Sequence, residues 1–420
     1  LRLLVLGFLV LSLAAKAQGQ AKDLFSHYRD TLYQIQIIDL ESKSKSSIGS
    51  GFQINANGLL VTNYHVVSDY VFHPDKYRIE YLDNQGKHGE LSLANFDVIN
   101  DLALVQKVDN DAISSALPLA QQLPEQGSNI YSLGNPHDLG MIVVPGTFNG
   151  IKARSFYQRI HFTGAINPGM SGGPVVNAQG EVIGVNVATA GNQIGFLIPL
   201  DKLVALVQQP QEVSSAKKPD YMPLLGQQLS ANAESFMQAL FAQPWHTTQL
   251  GEAQIPDTIA DFVSCWGDSN ASEADARYLS VQSSCRTSEQ IYLRNKLQTG
   301  GLEMEFEWIN APKLGSARFY RMYSKGISNA GPGNKATTED VTDFSCQHEL
   351  VSNTSELENK VILCTRAYRD FDDLYDVFFI AASIDHDDKG LISHFTLSGV
   401  SQASATEFSR QFMESIQWQL

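Results

Sequence analysis

From Tyr33 to about Val207 the chain runs in short apolar stretches punctuated by Gly, Asn and Pro. That spacing predicts an all-β barrel or sandwich. The stretches include Tyr33 to Ile38, Gly51 to Ile54, Leu59 to Thr62, Leu102 to Val105, Ile130 to Leu133, Met141 to Val144, Val182 to Val187 and Gly195 to Ile198. Only Asp201 to Gln208 reads as helical, with Leu203, Leu206 and Val207 on one side, and it closes the segment.

The chain then changes character. Gln209 to Pro219 is polar, bounded by prolines and without periodicity, so residues 208–222 are read as a linker. Beyond it, Ala231 to Phe241 carries Phe236, Leu240 and Phe241 at helical spacing, and Thr406 to Trp418 carries Phe408, Phe412 and Ile416. Leu302 to Trp308, Ala317 to Tyr323, Lys360 to Tyr368, Tyr375 to Ala382 and Leu391 to Leu397 read as strands. In the first of these, Leu302, Met304, Phe306 and Trp308 alternate with Glu303, Glu305 and Glu307, the pattern of a strand with one buried and one wet face. Residues 223–420 are therefore expected to form an α+β domain, an antiparallel sheet covered by helices.

A length of 420 residues exceeds one ordinary core and suits two domains plus a targeting segment. Residues 1–17 are one basic residue, an apolar run and a small-x-small end, the pattern of a signal peptide cleaved after Ala17. The apolar run is shorter than the roughly 20 residues a bilayer span requires, so no stable membrane insertion is expected after cleavage. Residues 18–32 are read as an N-terminal segment. A periplasmic or secreted location makes disulfides the expectation for Cys265, Cys285, Cys346 and Cys364. Four cysteines permit three pairings, and the local ones, Cys265 with Cys285 and Cys346 with Cys364, are preferred.

Charge is uneven. Up to Asp220 there are 16 basic and 19 acidic residues, and beyond it 14 and 26, giving net charges of −3 and −12. An acidic surface argues against nucleic acid or anionic lipid as a partner, because both require compensating Lys and Arg.

Three segments carry candidate chemistry. Thr62-Asn63-Tyr64-His65-Val66-Val67 follows a predicted hairpin that delivers His65 from a strand end. Asn100-Asp101-Leu102-Ala103-Leu104 places a carboxylate at the mouth of an apolar strand, with Asp97 as a local rival. Asn167-Pro168-Gly169-Met170-Ser171-Gly172-Gly173-Pro174 sets a serine in a Gly-rich turn entering a strand. A serine hydroxyl is a poor nucleophile until a base removes its proton, and neutral imidazole suits that task near pH 7. A carboxylate fixes the imidazole tautomer and stabilises the imidazolium formed during attack. Glycines around Ser171 let backbone N–H groups turn towards a developing oxyanion.

Gly169-x-Ser171-x-Gly173 also fits the nucleophile elbow of α/β hydrolases, but that elbow leads into a helix and Pro174-Val175-Val176 enters a strand. His137 and His161 read as ordinary surface or core histidines. The acidic run Asp370 to Asp376, and Asp385-His386-Asp387-Asp388, lack the spacing of an EF-hand loop and read as solvated loops. No metal or other cofactor is expected.

The three segments resemble the trypsin-like peptidases, and in particular the bacterial high-temperature-requirement (Deg) proteases, over about Tyr33 to Val207. The resemblance implies a chymotrypsin-like double β-barrel over residues 33–207 and the role of a serine endopeptidase acting on protein or peptide substrates. By position it makes His65 the general base, Asp101 its orienter and Ser171 the nucleophile, with the amides of Gly169 and Ser171 as oxyanion hole. It places Ala165 at the base of the primary specificity pocket, Val187 to Thr189 on the strand that pairs with substrate, and Phe196 in the pocket wall. An uncharged base with apolar walls implies small or medium aliphatic side chains before the cut.

Deg proteases usually carry a PDZ module after the protease. Leu224-Leu225-Gly226-Gln227 superficially resembles the start of one, but nothing downstream sustains it, so peptide-carboxylate sensing and cage-like assembly are not carried over. Pro168 and Met170 depart from the family's usual nucleophile loop and leave open whether the oxyanion hole is formed at rest. The alternative is a catalytically silent protease-fold scaffold whose C-terminal domain binds a partner. Residues 223–420 are expected to recruit substrate or a partner or to restrain the protease, and an oligomer is left open.

Overall fold

The computed structural model describes residues 21–109, 115–189, 191, 193–210, 219–353, 357–384 and 386–418. The signal pattern, its cleavage after Ala17, most of the proposed linker and Asp385 lie outside the described residues. The chain divides into two compact units, one built from the residues up to Lys152 with Tyr157–Tyr221, the other from Ala153–Phe156 with Met222 onwards.

The first unit holds two closed antiparallel barrels of six strands each, the chymotrypsin-like double barrel. The first barrel comprises β1 (Leu32–Asp39), β2 (Lys45–Gln53), β3 (Leu59–Thr62), β4 (Tyr77–Leu82), β5 (His88–Asp97) and β6 (Leu102–Lys107), in the order β1-β2-β3-β6-β5-β4. The second comprises β7 (Asn129–Gly134), β8 (Ile142–Ile151), β9 (Ile160–Thr163), β10 (Pro174–Val176), β11 (Val182–Thr189) and β12 (Ile194–Pro199), in the order β10-β11-β12-β9-β8-β7. Closure leaves free backbone only where a strand outruns its partner, which is how short strands of this kind form a stable sheet. Alternation along β1 sends Tyr33, Ile35 and Ile37 to one face, all fully buried. Gln34 and Gln36 occupy the opposite face and are also buried, at 1% exposure each. Buried amides require hydrogen-bond partners, and theirs lie beside the candidate site. The helix Leu200–Gln208 closes the unit with Leu203 and Leu206 buried, as its periodicity predicts.

One element of this unit departs from the sequence reading. His65 does not sit at a strand end but is the second residue of a helix, Tyr64–Phe72. The strand ends at Thr62, where the apolar stretch Leu59 to Thr62 ends in the sequence, and the chain turns into the helix within two residues. Tyr64, Val66, Val67 and Val71 are buried on the helix.

In the second unit a seven-stranded antiparallel sheet runs in the order Val263–Ser269, Leu279–Thr287, Leu302–Asn310, Lys389–Val400, Tyr375–Ser383, Glu358–Ala367 and Ser345–Ser352. The helices Met222–Phe241 and Gln402–Glu414 bring Phe236, Leu240, Phe408 and Phe412 into one core with Met304, Phe306, Phe379 and Phe395. Leu224 to Gln227 lie in the first of these helices. The opposite face buries Phe378, Ile380 and Ile392 with Phe319 and Tyr323. Cys265 and Cys285 are directly opposed in register and joined, as are Cys346 and Cys364. Each disulfide thus staples an edge strand of the sheet to its neighbour.

Two readings are corrected here. Ala317 to Tyr323 is not a strand but part of the helix Ser316–Asn329. Its aromatic residues suggest strand, but Phe319 and Tyr323 lie four apart, the spacing of one helix face, and stack at 5.2 Å between ring centroids. The acidic run Asp370 to Asp376 is also not uniformly solvated. Asp370, Asp372 and Asp373 are exposed, whereas Asp376 is fully buried on its strand. Its carboxylate accepts hydrogen bonds from Arg366 Nε at 2.8 Å, the Tyr368 hydroxyl at 2.8 Å and the Gly399 N–H at 3.2 Å.

Burial pushes the Asp376 carboxyl up and the Arg366 charge pulls it back. Arg366→Met leaves that carboxylate without its counter-charge in a dry core, a change that costs about 3–5 kcal/mol in comparable buried pairs. A urea midpoint equal to that of the wild type would refute this account of the pair.

Candidate active site

The turn between β2 and β3 sets up the first component. Asn55 Oδ1 accepts from the N–H groups of Asn57 at 2.9 Å and Leu59 at 3.1 Å, and Gly58 adopts φ +79°. This tight turn runs β3 back along β2 and delivers Asn63, still extended at φ −85°, to the start of the helix bearing His65. The Asn63 side-chain amide donates to the Asp101 carbonyl at 2.8 Å.

Asp101 sits in the connection from β5 to β6 with φ +62°, a left-handed conformation that Asp tolerates better than most residues. Its two carboxylate oxygens take separate bonds from one residue. Oδ1 accepts from the His65 backbone N–H at 2.8 Å, and Oδ2 lies 2.7 Å from His65 Nδ1. An acceptor at Nδ1 places the proton there and leaves Nε2 as the basic nitrogen. Burial alone would push the imidazole down, but the Asp101 charge and hydrogen bond outweigh it and hold the pKa above the ordinary 6.5. The rival Asp97 is engaged locally, accepting from the backbone and side chain of Asn100 at 2.9 and 2.7 Å.

The loop bearing Ser171 abuts the same ledge. A Cβ on Gly172 would stand 2.3 Å from the Ser50 carbonyl, 2.4 Å from Thr62 Oγ1 and 2.9 Å from the Asn63 nitrogen. Only glycine permits that approach, and its φ of +83° demands glycine independently. A Cβ on Gly49 would meet Val66 Cγ2 at 2.5 Å and the Ser171 carbonyl at 3.1 Å. The segments carrying His65 and Ser171 therefore touch through backbone and glycine.

Both barrels grip this loop. From β2, Ser50 N–H donates to the Ser171 carbonyl at 2.7 Å, and Ser50 Oγ donates to the Gly169 carbonyl at 2.7 Å. From β11, the Asn186 carbonyl accepts from Gly172 at 3.0 Å, and the Asn186 N–H donates to Gly173 at 2.9 Å. The Asn186 side chain is itself fixed by Ser132 Oγ at 2.9 Å and the Leu133 carbonyl at 3.1 Å.

Asn167 to Met170 form a tight turn closed by the Met170 N–H on the Asn167 carbonyl at 3.0 Å, with Gly169 at φ +95°. The Pro168 carbonyl is taken by the His137 N–H at 2.9 Å. Because a trans peptide holds its C=O and N–H in opposite directions, the Gly169 N–H points away from that bond. Among the described residues, neither the Gly169 N–H nor the Ser171 N–H has a backbone acceptor.

Ala165 is exposed just after β9, and its neighbour Ile166 is buried where a Cβ on Gly195 would meet Ile166 Cδ1 at 2.6 Å. Phe196 is half-buried, 6.3 Å from the His161 ring, with Lys152 Nζ 5.4 Å from its centroid. Val187 is half-buried on β11, and Thr189 ends that strand with its side chain outside the described residues. On β11 the partner β10 reaches only Val182 to Val185.

Ser50, Asn186 and the His137 backbone escaped the sequence reading. A detectable signal existed for Asn186, one amide in the apolar run Val182-Ile183-Gly184-Val185-Asn186-Val187. Ser50 carried none, because a single serine between Gly49 and Gly51 on a hairpin strand has no distinguishing pattern.

Residues 49–185 match the family model of the trypsin-like peptidase domain. The chain carries such a domain. The periplasmic serine endoprotease DegP of Escherichia coli is 30% identical to the chain over 203 residues, which cover 46% of the chain and 41% of the relative. The mitochondrial serine protease HTRA2 of Bos taurus is 30% identical over 178 residues, 40% of the chain and 37% of the relative. Among solved structures, the serine endoprotease of Yersinia pestis is 24% identical with a TM-score of 0.39, covering 45% of the chain and 65% of that protein. The chain thus spans less than half the length of these two curated relatives. Outside the trypsin-like peptidase domain lies most of the second unit, whose sheet begins at Val263.

Proposed function

We propose that this protein is an exported serine endopeptidase that hydrolyses protein or peptide substrates through an acyl-enzyme. The observation that carries this reading is the two-handed grip of Asp101 on His65, one oxygen on the backbone and one on Nδ1, beside the glycine-walled loop of Ser171.

In the first half-reaction His65 Nε2 takes the Ser171 hydroxyl proton as Oγ adds to the scissile carbonyl carbon. The carbonyl π electrons move to oxygen, and the N–H groups of Gly169 and Ser171 receive that oxyanion. The proton then passes from His65 to the leaving amine as the C–N bond breaks. Water, deprotonated by His65, releases the acid and returns the proton to Ser171.

Substrate backbone would add along the edge of β11 from Val187 to Thr189, where β10 has ended. Ala165 and Phe196 would then meet the side chain before the cut, and their uncharged character favours small or medium aliphatic groups.

The silent-scaffold alternative requires a collapsed oxyanion loop. The direction of the Gly169 N–H argues against collapse. Export is supported by the N-terminal pattern and by the word periplasmic in the name of the Escherichia coli relative.

A fluorophosphonate probe should therefore label the intact protein once, at Ser171, as located by peptide mass mapping. Labelling at any other serine, or none under conditions that label trypsin, would overturn the proposal.

A further inference from the structure

We propose that Asp138 is a latch for the oxyanion hole: Gln34 and Lys45 of the first barrel hold its carboxylate, and the loop so anchored presents the His137 N–H that orients the Pro168–Gly169 peptide. The inference rests on the peptidase reading above and names a positioning residue for it.

The chain of contacts is continuous. Asp138 Oδ1 accepts from Gln34 Nε2 at 2.6 Å, and Oδ2 accepts from Lys45 Nζ at 2.7 Å. The Gln36 amide donates in turn to Gln34 Oε1, which turns the Gln34 amide N–H towards Asp138. This explains why two glutamines are buried on β1, where an apolar pair would pack as well.

The next residue back is His137, and its N–H reaches the Pro168 carbonyl at 2.9 Å. His137 and Asp138 are consecutive left-handed residues, at φ +52° and +61°, a conformation that non-glycine residues keep only when their surroundings enforce it. Little else supplies that enforcement. Between buried Pro136 and partly buried Met141 the loop has no apolar anchor, since Leu139 is 81% exposed. Its other ties are Leu139 N–H on the Pro136 carbonyl at 3.0 Å, Gly140 N–H on Asn135 Oδ1 at 2.9 Å and, where the loop begins, Asn135 N–H on Ser50 Oγ at 2.9 Å, which leaves the turn at His137 and Asp138 to the Asp138 side chain.

The nucleophile loop cannot provide the hold itself. The residue before Ser171 is Met170, fully buried and uncharged. Ser50 fixes the Gly169 carbonyl, one peptide further on, and leaves the Pro168 carbonyl to His137. Without the Asp138 anchor the Pro168–Gly169 peptide is free to rotate, and the hole loses the Gly169 donor while keeping that of Ser171.

The test uses the full-length protein and three variants, Asp138→Ala, Lys45→Met and Ser171→Ala. Loss of one oxyanion donor lowers kcat about 10²- to 10³-fold, so Asp138→Ala should do so with KM within about twofold, the signature of an interaction made in the transition state. A peptidyl trifluoromethyl ketone forms a hemiketal with Ser171 that carries a real oxyanion, and its affinity should fall in parallel with kcat. Substrate binding measured in the Ser171→Ala background should not change on adding Asp138→Ala. A merely structural Asp138 would move substrate binding and thermal midpoint together with the rate.

Lys45 is exposed and its loss leaves the Gln34 bond in place. Lys45→Met should therefore fold and show the same split with a smaller drop, about two- to fivefold on the strength of one exposed ion pair, and it decides the matter if Asp138→Ala does not fold. Wild-type kcat and ketone affinity in the variants would overturn the latch and leave the peptidase reading intact. A wild-type protein that neither hydrolyses peptides nor takes the probe would remove both.

Discussion

Ser171→Ala is expected to lower kcat about 10⁶-fold and to abolish fluorophosphonate labelling, with the fold intact. The size follows from the proposed role of Ser171 as the nucleophile that forms the acyl-enzyme, and a small residual rate over water should remain because the proposed oxyanion donors and substrate contacts persist. The fold should survive because Ser171 is held through its backbone. Its carbonyl accepts from Ser50 at 2.7 Å, and the flanking Gly172 and Gly173 bond to Asn186. Alanine keeps every one of these bonds. Active-site titration and steady-state rates on a fluorogenic peptide, with circular dichroism as the folding control, measure the effect. A folded variant retaining more than about a hundredth of the wild-type rate could not be reconciled with Ser171 as the sole nucleophile.

What could be read from sequence and what could not divide along a physical line. Local periodicity was sufficient for Leu302 to Trp308, where strict alternation gave a strand with the correct buried face, and for Leu203 and Leu206 on the helix closing the first unit. It misled where residue type and spacing disagreed. Ala317 to Tyr323 is aromatic enough for a strand, yet Phe319 and Tyr323 at four-residue spacing bury together on a helix. Residues that carry candidate chemistry stood out because glycine, histidine and serine occur there in short, unusual strings.

Their supports did not stand out, because each is an ordinary residue made important by a distant partner. Gln34 and Asp138 are 104 positions apart, and Ser50 and Gly169 are 119 apart. No window of sequence contains both members of either pair. His137 illustrates the limit most clearly: it reads as an unremarkable histidine, and its contribution comes from its backbone N–H, which every residue except proline possesses.

Asp101→Asn should lower kcat/KM about 10⁴-fold and move the acidic limb of its pH profile. In the wild type, His65 must be neutral at Nε2 to accept the Ser171 proton. Its pKa is held above 6.5, so the inactive imidazolium persists to higher pH and the rate climbs through a midpoint above that value. Asparagine removes the charge that raises the pKa and leaves burial, which lowers it, so the limb should shift to lower pH. The rate nevertheless falls at every pH, because an amide N–H facing Nδ1 favours the tautomer with its proton on Nε2, turned towards Ser171. Stability responds with the opposite sign. A raised folded pKa means that protonated His65 stabilises the fold below the unfolded pKa, and that this contribution is lost as pH rises through the folded one. The carboxylate proposed to prime His65 as a base therefore adds its stabilisation where the proposed activity is lowest, and Asp101→Asn, which leaves only burial, should move the rate limb to lower pH and reverse the sign of the His65 contribution to stability. Rates and thermal midpoints across pH 5 to 9 measure the two together; an unmoved acidic limb with a rate within tenfold of wild type would dismiss Asp101 as the partner that orients His65.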